Sequence, residues 1–310
     1  EAIAAAGYLP LITTPVRLSD AQAAAQIAAV QAQLEQPLTI AGYDPVSNTT
    51  TTWTVPAETL AAWLRVDSSG GQTRLSLDES QFGAYLTQLE GSLTNGDTFW
   101  ISGQAYNLTE RWQNGEPYTV ILKEPASTYT IQAGDTLLKI SYQVDIPYWM
   151  IAAANPEIDP DALPVGADLV IPSRSDLLPE PVVLGKRIVI SISQQRMTIY
   201  ENGSVIREFV ISTGVDRSPT QPGVFQIRTH ELNAYASVWD LYMPHFLGIY
   251  EAWPGFMNGI HGLPTLSNGT RLWESILGKP ASYGCIILSL DNAAWLYTWA
   301  ETGVVVEIQA

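Results

Sequence analysis

The chain has 310 residues, 46% of them hydrophobic and ten of them Trp, so it can build two or three domains with substantial cores. No run of 18 or more apolar residues occurs, which argues against a membrane-spanning helix. A net charge of −16 disfavours nucleic acid and acidic membranes as partners, because like charges repel. Most of this acidity lies in residues 1–184, with 21 Asp and Glu against seven Lys and Arg.

The chain begins at Glu1 rather than Met, which is compatible with a leader or an anchor that precedes it. Its single cysteine excludes an internal disulfide. The acidic surface is compatible with the solubility of a secreted protein.

Residues 1–124 are predicted to form an α+β domain. A helix is expected in "SDAQAAAQIAAVQAQLEQ", with Ser19 or Asp20 as its N-cap. The runs "LTIAGYD" and "TTTTWTV" predict a strand pair, and "PAETLAAWL" and "DESQFGAYLTQLE" predict two short helices. No chemically distinctive cluster of residues occurs in this segment.

Residues 128–174 read as a βααβ unit. The run "YTIQAGDTLLKIS" predicts a strand, a turn and a helix that Thr136 or Asp135 caps. A second helix in "PYWMIAAAN" is expected to end at Asn155-Pro156, and "GADLVIPS" is the closing strand. The proline-containing residues 175–184 are predicted to be a linker.

This second segment resembles the LysM module over its whole length. The matching residues are Tyr129, Ile131, Gly134, Asp135, Thr136, Leu137, Ile140, Asn155, Leu163, Gly166, Leu169, Ile171 and Pro172. The resemblance implies binding of glycans that contain N-acetylglucosamine, peptidoglycan included. The implied groove is lined by Gly134, Asp135, Thr136, Leu137, Asn155, Pro156, Glu157 and Ile158. A module retained only as a spacer is the alternative.

Residues 185–310 are predicted to be mostly β with one late helix. The runs "RIVISIS" and "RMTIYENGSVIREFVIS" alternate between apolar and polar residues, and Asn202-Gly203 is typical of a two-residue hairpin turn. Further strands are expected at "GVFQI" and "VVVEI". The helix is "LDNAAWLYTWAET", capped by Asp291 or Ser289.

The stretch "IHGLPTLSNGTRLWESILGKPASYGCIIL" contains the only cysteine, Cys285, and one of three histidines, His261. Ser282-Tyr283-Gly284 predicts a sharp turn before the cysteine, and such a turn can direct backbone N–H groups at an oxyanion. A histidine at a strand end can take the proton of a nearby thiol. The alternative is an inert core cysteine with no contact to His261.

At these residues the third segment resembles the catalytic domain of the L,D-transpeptidases of the YkuD type. The family pattern is His-Gly, a spacer, Ser/Thr-His-Gly-Cys, a hydrophobic residue, and Arg or Asn. Here it reads His261-Gly262 and then Ser282-Tyr283-Gly284-Cys285-Ile286-Ile287. Similarity extends through "SQQRMTIYENG", "VISTG", "SPTQPGVFQI", "VWDLYMPHF" and "DNAAWLYTWAETGVVVEI".

The resemblance implies that Cys285 is the nucleophile and His261 the base, oriented by the carbonyl of Gly262 or by Ser282. The implied oxyanion hole consists of the N–H groups of Tyr283, Gly284 and Cys285. The family's cysteine attacks the amide after the third residue of a peptidoglycan tetrapeptide stem, releases D-Ala and passes the acyl group to an amine.

The sequence departs from the family pattern at two positions. Tyr283 stands where the family has His, and we expect its backbone N–H to matter most. Ile287 replaces the usual Arg or Asn, which braces the loop or contacts substrate in the family. The spacer between His261 and Cys285 is also long, and its residues are expected to form a rim or lid.

Other candidate residues carry less weight. His245 either faces the same pocket or is an ordinary half-buried histidine, and His230 is expected to face solvent. Tyr242, Tyr250, Trp253 and Phe256 are candidates for a substrate cleft or for core packing. No sequence motif predicts a metal site or a cofactor.

The sequence therefore predicts an extracytoplasmic enzyme, secreted or associated with the cell wall, that cross-links peptidoglycan. Its predicted partners are stem peptides and glycan strands, with carbapenem-type β-lactams as covalent inhibitors. Residues 1–124 weakly resemble a peptidoglycan-binding domain that accompanies such enzymes, and a structural stalk is the alternative. Two alternatives for the whole chain are a wall-binding protein with impaired catalysis and an L,D-carboxypeptidase.

Overall fold

The computed structural model describes residues 19–67, 74–101, 107–272 and 274–310. The chain divides into two compact units. One comprises the described residues within 1–41, 52–88 and 106–119, and the other those within 42–51, 89–105 and 120–310. Among the described residues, no helix is both long and apolar enough to cross a membrane.

The elements before residue 124 combine helices with short strands, as the sequence predicts. The helices are α1 (Asp20–Leu34), α2 (Ala57–Trp63), α3 (Glu79–Glu90) and α4 (Leu108–Asn114). The strands are β1 (Thr39–Asp44), β2 (Thr49–Thr54), β3 (Leu64–Asp67), β4 (Arg74–Leu77), β5 (Thr98–Trp100) and β6 (Tyr118–Lys123). One sheet has the order β2-β1-β6-β5, and β3 pairs with β4. The predicted domain boundary at residue 124 stays a prediction.

The next elements form the expected βααβ unit. They are β7 (Ser127–Thr130), α5 (Leu137–Val144), α6 (Tyr148–Ala154) and β8 (Asp168–Ile171), with β7 antiparallel to β8. Thr136 caps α5, because its side chain accepts a hydrogen bond from the Lys139 N–H at 3.1 Å. The helix α6 ends at Asn155, before the proline that the sequence places there.

The last part of the chain contains two larger sheets and one helix, α7 (Leu290–Trp299). One sheet has the order β11-β10-β9-β18-β12. Its strands are β9 (Lys186–Ser191), β10 (Arg196–Glu201), β11 (Ser204–Val210), β12 (Gly223–Gln226) and β18 (Val305–Gln309). Between β10 and β11, Asn202 and Gly203 have φ of 49° and 76°, the positive values that a type I′ turn needs.

The second sheet has the order β13-β14-β15-β17, and β16 pairs with β14. Its strands are β13 (Thr229–Ala236), β14 (Leu241–Trp253), β15 (Phe256–Gly262), β16 (Thr265–Leu266) and β17 (Ile286–Leu288). The strands β15 and β17 run parallel, which places the end of β15 beside the start of β17.

One hydrophobic cluster joins the βααβ unit to the two sheets. It contains Ile140 and Ile151 from α5 and α6 together with Phe225 from β12 and Ile249 from β14, all fully buried. Trp149 adds a hydrogen bond from its Nε1 to the carbonyl of Glu251 at 2.8 Å. The βααβ unit is therefore packed onto the sheets and shares their core.

Residues 175–184 lie against the same part of the protein. Leu178 and Val182 are 2% exposed and pack in a cluster with Val224 and Val305. The Val183 N–H also donates to the carbonyl of Gly303 at 3.1 Å. The segment with linker-like composition is thus held in place by apolar contacts and backbone hydrogen bonds.

Candidate active site

The structure brings His261 and Cys285 to one face of the second sheet. His261 lies on β15, and its partner across the parallel pairing is Ile287 on β17. Because side chains alternate across a strand, Cys285, two residues before Ile287, shares the face of Ile287 and His261. On the opposite face, Ile260 and Ile286 enter the hydrophobic core.

The imidazole of His261 is buried and held in one tautomer. Its Nδ1 lies 2.7 Å from the carbonyl oxygen of Gly262. A carbonyl can only accept, so Nδ1 carries the proton and Nε2 has a free lone pair. Burial lowers the pKa of His261 to about 4, and the hydrogen bond to Gly262 offsets this in part. The ring is therefore neutral near pH 7 and able to accept a proton at Nε2.

The thiol of Cys285 is also neutral in this environment. Burial raises its pKa to about 11, and a hydrogen bond from the Gly259 backbone offsets this in part. The sulfur lies 3.5 Å from Oδ1 of Asn258, to which it donates. Within the part of the chain that the structure describes, no hydrogen bond joins the sulfur to His261.

The loop that precedes Cys285, the candidate nucleophile loop, is fixed by hydrogen bonds. The Ser282 hydroxyl donates to the Cys285 carbonyl at 2.5 Å and accepts from the Gly284 N–H at 3.2 Å. The Thr220 hydroxyl donates to the Gly284 carbonyl at 3.0 Å. The Ser282 N–H donates to the Thr213 carbonyl at 3.0 Å, which ties the loop to the segment after β11. Ser282 therefore shapes the nucleophile loop, whereas Gly262 orients the histidine.

Tyr283 directs its ring to the rim of the site. The ring stacks on Trp239, with centroids 5.6 Å apart and an interplanar angle of 9°. Its hydroxyl accepts a hydrogen bond from Nη2 of Arg217 at 2.6 Å. The tyrosine that replaces the family histidine thus supplies an aromatic wall.

Ile287, the second departure from the family pattern, is 4% exposed and lines the pocket. Its backbone pairs with Ser212 through hydrogen bonds of 2.8 and 2.9 Å. The position is therefore apolar and fixed, where the family has a polar side chain.

A cavity of about 270 Å³ opens above the two catalytic candidates. Most of its wall is apolar, and Pro264 and Leu272 of the long spacer contribute to it. The wall consists of Glu231, Ala234, Tyr235, Ala236, Trp239, Leu241, Met243, Phe246, Gly255, Phe256, Met257, His261, Pro264, Leu272, Ala281, Ser282, Tyr283, Cys285 and Ile287. The spacer thus forms part of a rim, as predicted.

The other two histidines lie away from this cavity. His245 makes an edge-to-face contact with Tyr297 of α7, at 5.5 Å between centroids, and it is half-buried. His230 is also half-buried, with Nε2 2.5 Å from the Ala300 carbonyl, so the expectation that it faces solvent is wrong. The strand β13 turns it towards α7, where the helix covers it. No group of three or more His, Cys, Asp or Glu in the described residues has the proximity that a metal ion needs.

The four aromatic candidates for the substrate cleft lie in different environments. Phe256 lines the cavity. Tyr250 is buried in the core and stacks on Phe225 at 4.6 Å. Tyr242 and Trp253 are 38% and 44% exposed and do not line this cavity.

The residues of the implied glycan groove lie in two loops of the βααβ unit, and three of their side chains serve the fold. Asp135 accepts hydrogen bonds from Lys139 Nζ, the Gln132 N–H and the Tyr129 hydroxyl. Leu137 is buried in the hydrophobic cluster. Asn155 bonds the backbone of α6 and β8, with Nδ2 2.7 Å from the Ile151 carbonyl.

The remaining groove candidates keep surface exposed. Gly134, with φ of 84°, has open space where a side chain would lie. Thr136, Pro156 and Glu157 are exposed, and Ile158 is half-buried. A glycan would therefore meet these residues and the loop backbones rather than Leu137 or the Asn155 amide.

Sequence reasoning missed Asn258, the hydrogen-bond partner of the thiol. Asn258 is 3% exposed, and its Nδ2 donates to the Tyr250 hydroxyl at 3.1 Å. A signal was present, because an amide three residues before His261 interrupts an otherwise apolar strand end, "MNGIHG". Buried polar groups require partners, so such a residue points to a polar neighbour.

Comparison with known proteins gives two family matches. Residues 185–308 match the L,D-transpeptidase catalytic domain, YkuD, and residues 129–172 match the LysM domain. A protein of Bacillus subtilis (strain 168), provisionally named L,D-transpeptidase YkuD, is 28% identical over 185 residues. This match covers 58% of the present chain and 98% of the relative.

A second Bacillus subtilis protein, provisionally named sporulation-specific glycosylase YdhD, is 36% identical over 91 residues, or 27% of this chain and 22% of its own. Among solved structures, LD transpeptidase LdtMt1 in complex with imipenem is 24% identical, with a TM-score of 0.35. That likeness covers 40% of this chain and 58% of the other.

The two family matches coincide with the parts of the chain in which the site and the βααβ unit lie. By these matches, residues 185–308 form an L,D-transpeptidase catalytic domain, YkuD, and residues 129–172 form a LysM domain.

Proposed function

We propose that this protein is a cysteine-dependent L,D-transpeptidase that cross-links peptidoglycan by acyl transfer from a tetrapeptide stem to an amine. The observation that carries the proposal is the placement of His261 and Cys285 on one face of paired strands, at the base of one cavity. A base with a free Nε2 and a thiol in the same pocket are the two groups that thiol acylation needs.

The resting pair is neutral, which sets the order of events. In the structure the thiol donates to Asn258, so it turns towards His261 Nε2 before reaction. The proton then passes from Sγ to Nε2 as the sulfur attacks the carbonyl carbon of the third stem residue. Because burial disfavours both charged forms, the ion pair exists only while substrate fills the cavity and the transfer proceeds.

The developing oxyanion requires N–H donors near Cys285. We assign them to the N–H groups of Tyr283, Gly284 and Cys285, following the family pattern. In the resting structure the Gly284 N–H donates to the Ser282 hydroxyl at 3.2 Å. That donor therefore becomes available only if the Ser282 bond lengthens, and Tyr283 and Cys285 supply the primary donors in this proposal.

Collapse of the tetrahedral intermediate breaks the amide bond, and His261 returns its proton to the leaving amine of D-Ala. The acyl group then forms a thioester with Cys285. An acceptor amine attacks this thioester and gives a new amide, with the thiol restored. If water attacks instead, the same site is an L,D-carboxypeptidase.

The cavity wall favours the aliphatic portion of a peptide. Ile287, Met243 and Met257 present apolar surface to the cavity that Cys285 also lines, and Trp239 with Tyr283 forms an aromatic rim. Among the described residues that line the cavity, Glu231 is the one acidic or basic side chain besides the neutral His261. With Ile287 where the family has a polar residue, this position offers the substrate an apolar contact.

The LysM domain supports a location outside the cytoplasm, secreted or on the cell wall. Its glycan-binding loops, Gly134–Leu137 and Asn155–Ile158, would hold the enzyme on glycan strands and raise the local concentration of stems. Because LysM and the catalytic sheets share one core, this anchoring also restricts the direction from which a stem approaches. Residues 1–124 are proposed to act as a further peptidoglycan-binding domain.

The experiment is incubation with a carbapenem, followed by intact-mass measurement. We expect one covalent adduct on the wild-type protein and none on Cys285→Ala, because the chain has a single thiol. Absence of an adduct on folded wild-type protein would favour the wall-binding alternative. Product analysis with and without an added acceptor amine separates a transpeptidase from a carboxypeptidase.

A further inference from the structure

Asn258 connects the nucleophile to a buried tyrosine. Its Oδ1 lies 3.5 Å from Cys285 Sγ, and its Nδ2 lies 3.1 Å from the Tyr250 hydroxyl. Asn258 is 3% exposed and Tyr250 4% exposed, so water does not readily replace either partner. A side-chain amide in contact with the reacting sulfur belongs to the chemistry of the site.

The hydrogen bonds at Tyr250 are incomplete in this orientation of the amide. The Tyr250 oxygen receives the Gln221 N–H at 3.0 Å as well as Nδ2 of Asn258, and both groups can only donate. In the described part of the chain, no acceptor for the Tyr250 proton is found. A half-turn of the Asn258 amide would give that proton an acceptor, Oδ1, and would present Nδ2 to the sulfur.

The two orientations suit the two states of the thiol. A protonated thiol needs an acceptor, which Oδ1 provides, whereas a thiolate gains from a further donor beside the Gly259 backbone, which Nδ2 provides. Tyr250 serves both, because a hydroxyl can accept from Nδ2 or donate to Oδ1. On the basis of the proposed function, we infer that Asn258 is a further catalytic residue whose amide turns over when Cys285 loses its proton and then stabilises the thiolate.

The step is balanced within the site. The proton leaves Sγ for Nε2 of His261, and no bond in Asn258 or Tyr250 is made or broken except hydrogen bonds. The S–H···Oδ1 and Nδ2–H···Oη bonds are replaced by Nδ2–H···S⁻ and Oη–H···Oδ1 bonds. Hydrogen bonds to a charged group are the stronger kind, so the exchange favours ionisation of the thiol on balance.

The surroundings hold the pair in place. Gln221, whose N–H fixes the Tyr250 oxygen, also donates from Nε2 to the Ser141 carbonyl of α5 at 3.2 Å. Gly284 leaves room for the amide, since a side-chain carbon at that position would lie 2.6 Å from Nδ2. The LysM helix α5 therefore braces, through one glutamine, the hydroxyl on which the amide turns.

Other ionisable groups line the cavity beside the sulfur or bond to its neighbours. They are His261 on β15, Tyr250 on β14, Glu231 and Tyr235 on β13, Tyr283 in the nucleophile loop and Arg217, which bonds Tyr283. None of them donates a hydrogen bond to the sulfur in the described structure. The variants below leave all of them except Tyr250 unchanged.

The test is the rate at which iodoacetamide alkylates the one thiol at pH 8, in wild type and in Asn258→Leu. The leucine has a similar volume and no polar atoms. We expect alkylation to slow about tenfold, because the side-chain donor to the thiolate is lost while the Gly259 backbone bond remains. If the Asn258 amide did not turn, its Oδ1 would only accept the hydrogen bond of the neutral thiol. The leucine variant would then lose this acceptor, and alkylation would become faster. An unchanged or faster rate would therefore overturn the inference.

Tyr250→Phe provides a second variant if the leucine substitution prevents folding. It removes one oxygen from a ring that stacks on Phe225 and leaves Oδ1 of the turned amide without a donor. We expect alkylation to slow about threefold, in the same direction but less than for Asn258→Leu. A rate equal to or above that of wild type would contradict the inference. Asn233→Leu, on the exposed side of β13, is the matched control and should alkylate like wild type.

These rates do not depend on transferase activity. A normal carbapenem adduct on wild type, together with unslowed alkylation of Asn258→Leu, would reject the inference and leave the proposed function intact. Slowed alkylation of Asn258→Leu without an adduct on wild type would support the role of Asn258 at the thiol and reject the proposed function.

Discussion

The first LysM loop favours the charged form of its ionisable group, whereas the candidate catalytic pocket favours the neutral forms. In the loop, hydrogen bonds hold the pKa of Asp135 below its usual value, with Lys139 as the largest cause. In the pocket, burial moves the pKa of both His261 and Cys285 towards the neutral forms. The difference lies in the neighbours, because converging donors keep a carboxylate charged whereas apolar walls disfavour charge.

This contrast separates binding from catalysis. Asp135 is already charged and hydrogen-bonded in this structure, and it stabilises a loop of fixed shape. In the proposed function, His261 and Cys285 carry no charge at rest and acquire it only as the acyl group is transferred. The same low-polarity wall that suppresses the resting ion pair strengthens every donor aimed at the oxyanion.

Removal of the base should produce the largest effect. His261→Ala is expected to slow acylation of Cys285 by a carbapenem about 10²–10⁴-fold, the range for loss of a general base. The measurement is the rate of adduct formation by mass spectrometry. His230→Gln is the control, since His230 contacts the Ala300 carbonyl outside the cavity, and it should react like wild type. Comparable losses in both variants would contradict the assignment.

The pH dependence tests the neutral resting pair directly. Because the pKa of Cys285 is raised to about 11, its alkylation by iodoacetamide should rise about tenfold per pH unit between about pH 7 and 10. Acylation by a carbapenem should be lost only as pH falls through about 4, where His261 becomes protonated and can no longer accept a proton. An alkylation plateau near pH 6 would indicate a resting thiolate–imidazolium pair. The pocket would then hold charged groups at rest, as the Asp135 loop does, and the contrast between the two regions would be wrong.

Gly284 tests the geometry of the nucleophile loop. Its φ is 110°, and a side-chain carbon there would lie 2.6 Å from Nδ2 of Asn258. Gly284→Ala is therefore expected to lower the free energy of unfolding by about 1–3 kcal/mol and to slow acylation at least about tenfold. Denaturant unfolding and adduct formation measure the two effects.

The matched control for this substitution is Gly269→Ala, which also has a positive φ, 86°, but open space around it. It should lose stability through backbone strain alone and retain the acylation rate. Equal acylation rates in Gly284→Ala and wild type would show that the loop tolerates displacement.

Thr136 gives the smallest effect and tests the LysM side of the comparison. Thr136→Ala removes the N-cap of α5 and should lower the free energy of unfolding by about 1 kcal/mol. Thr136→Ser keeps the hydroxyl and should retain most of that stability. Neither variant should change the acylation of Cys285 by more than about twofold, because the cap is exposed and local.

Much of the LysM unit could be predicted, because its elements depend on near neighbours. Thr136 caps α5 by accepting a hydrogen bond from the N–H of Lys139, three residues later, and α6 ends at Asn155, before Pro156. In the catalytic domain, the Asn202-Gly203 turn is local in the same way. The motif residues His261 and Cys285 were found because residue type and spacing matched a known pattern.

The strands β13 and β14 were not predicted as a pair. Pro244 and His245 interrupt the alternation of β14, and His245 has a φ of 55°, which marks an irregularity in the strand. A sequence pattern of period two cannot continue through such a point. The placement of His230 against α7 was missed because its partner, the Ala300 carbonyl, lies 70 positions away in the sequence.

The sequence by itself determined the domain families, the motif that contains His261 and Cys285, two candidates for each helix cap and the hairpin turn, since these depend on residue type or on contacts within a few positions. Only the tertiary structure decided the partner of the thiol, 27 positions away at Asn258, and the role of Tyr283 as a wall against Trp239. It also decided that LysM and the catalytic sheets share one core. The physical reason is that burial and long-range hydrogen bonds set the charge state of the site, and both exist only once distant segments pack together.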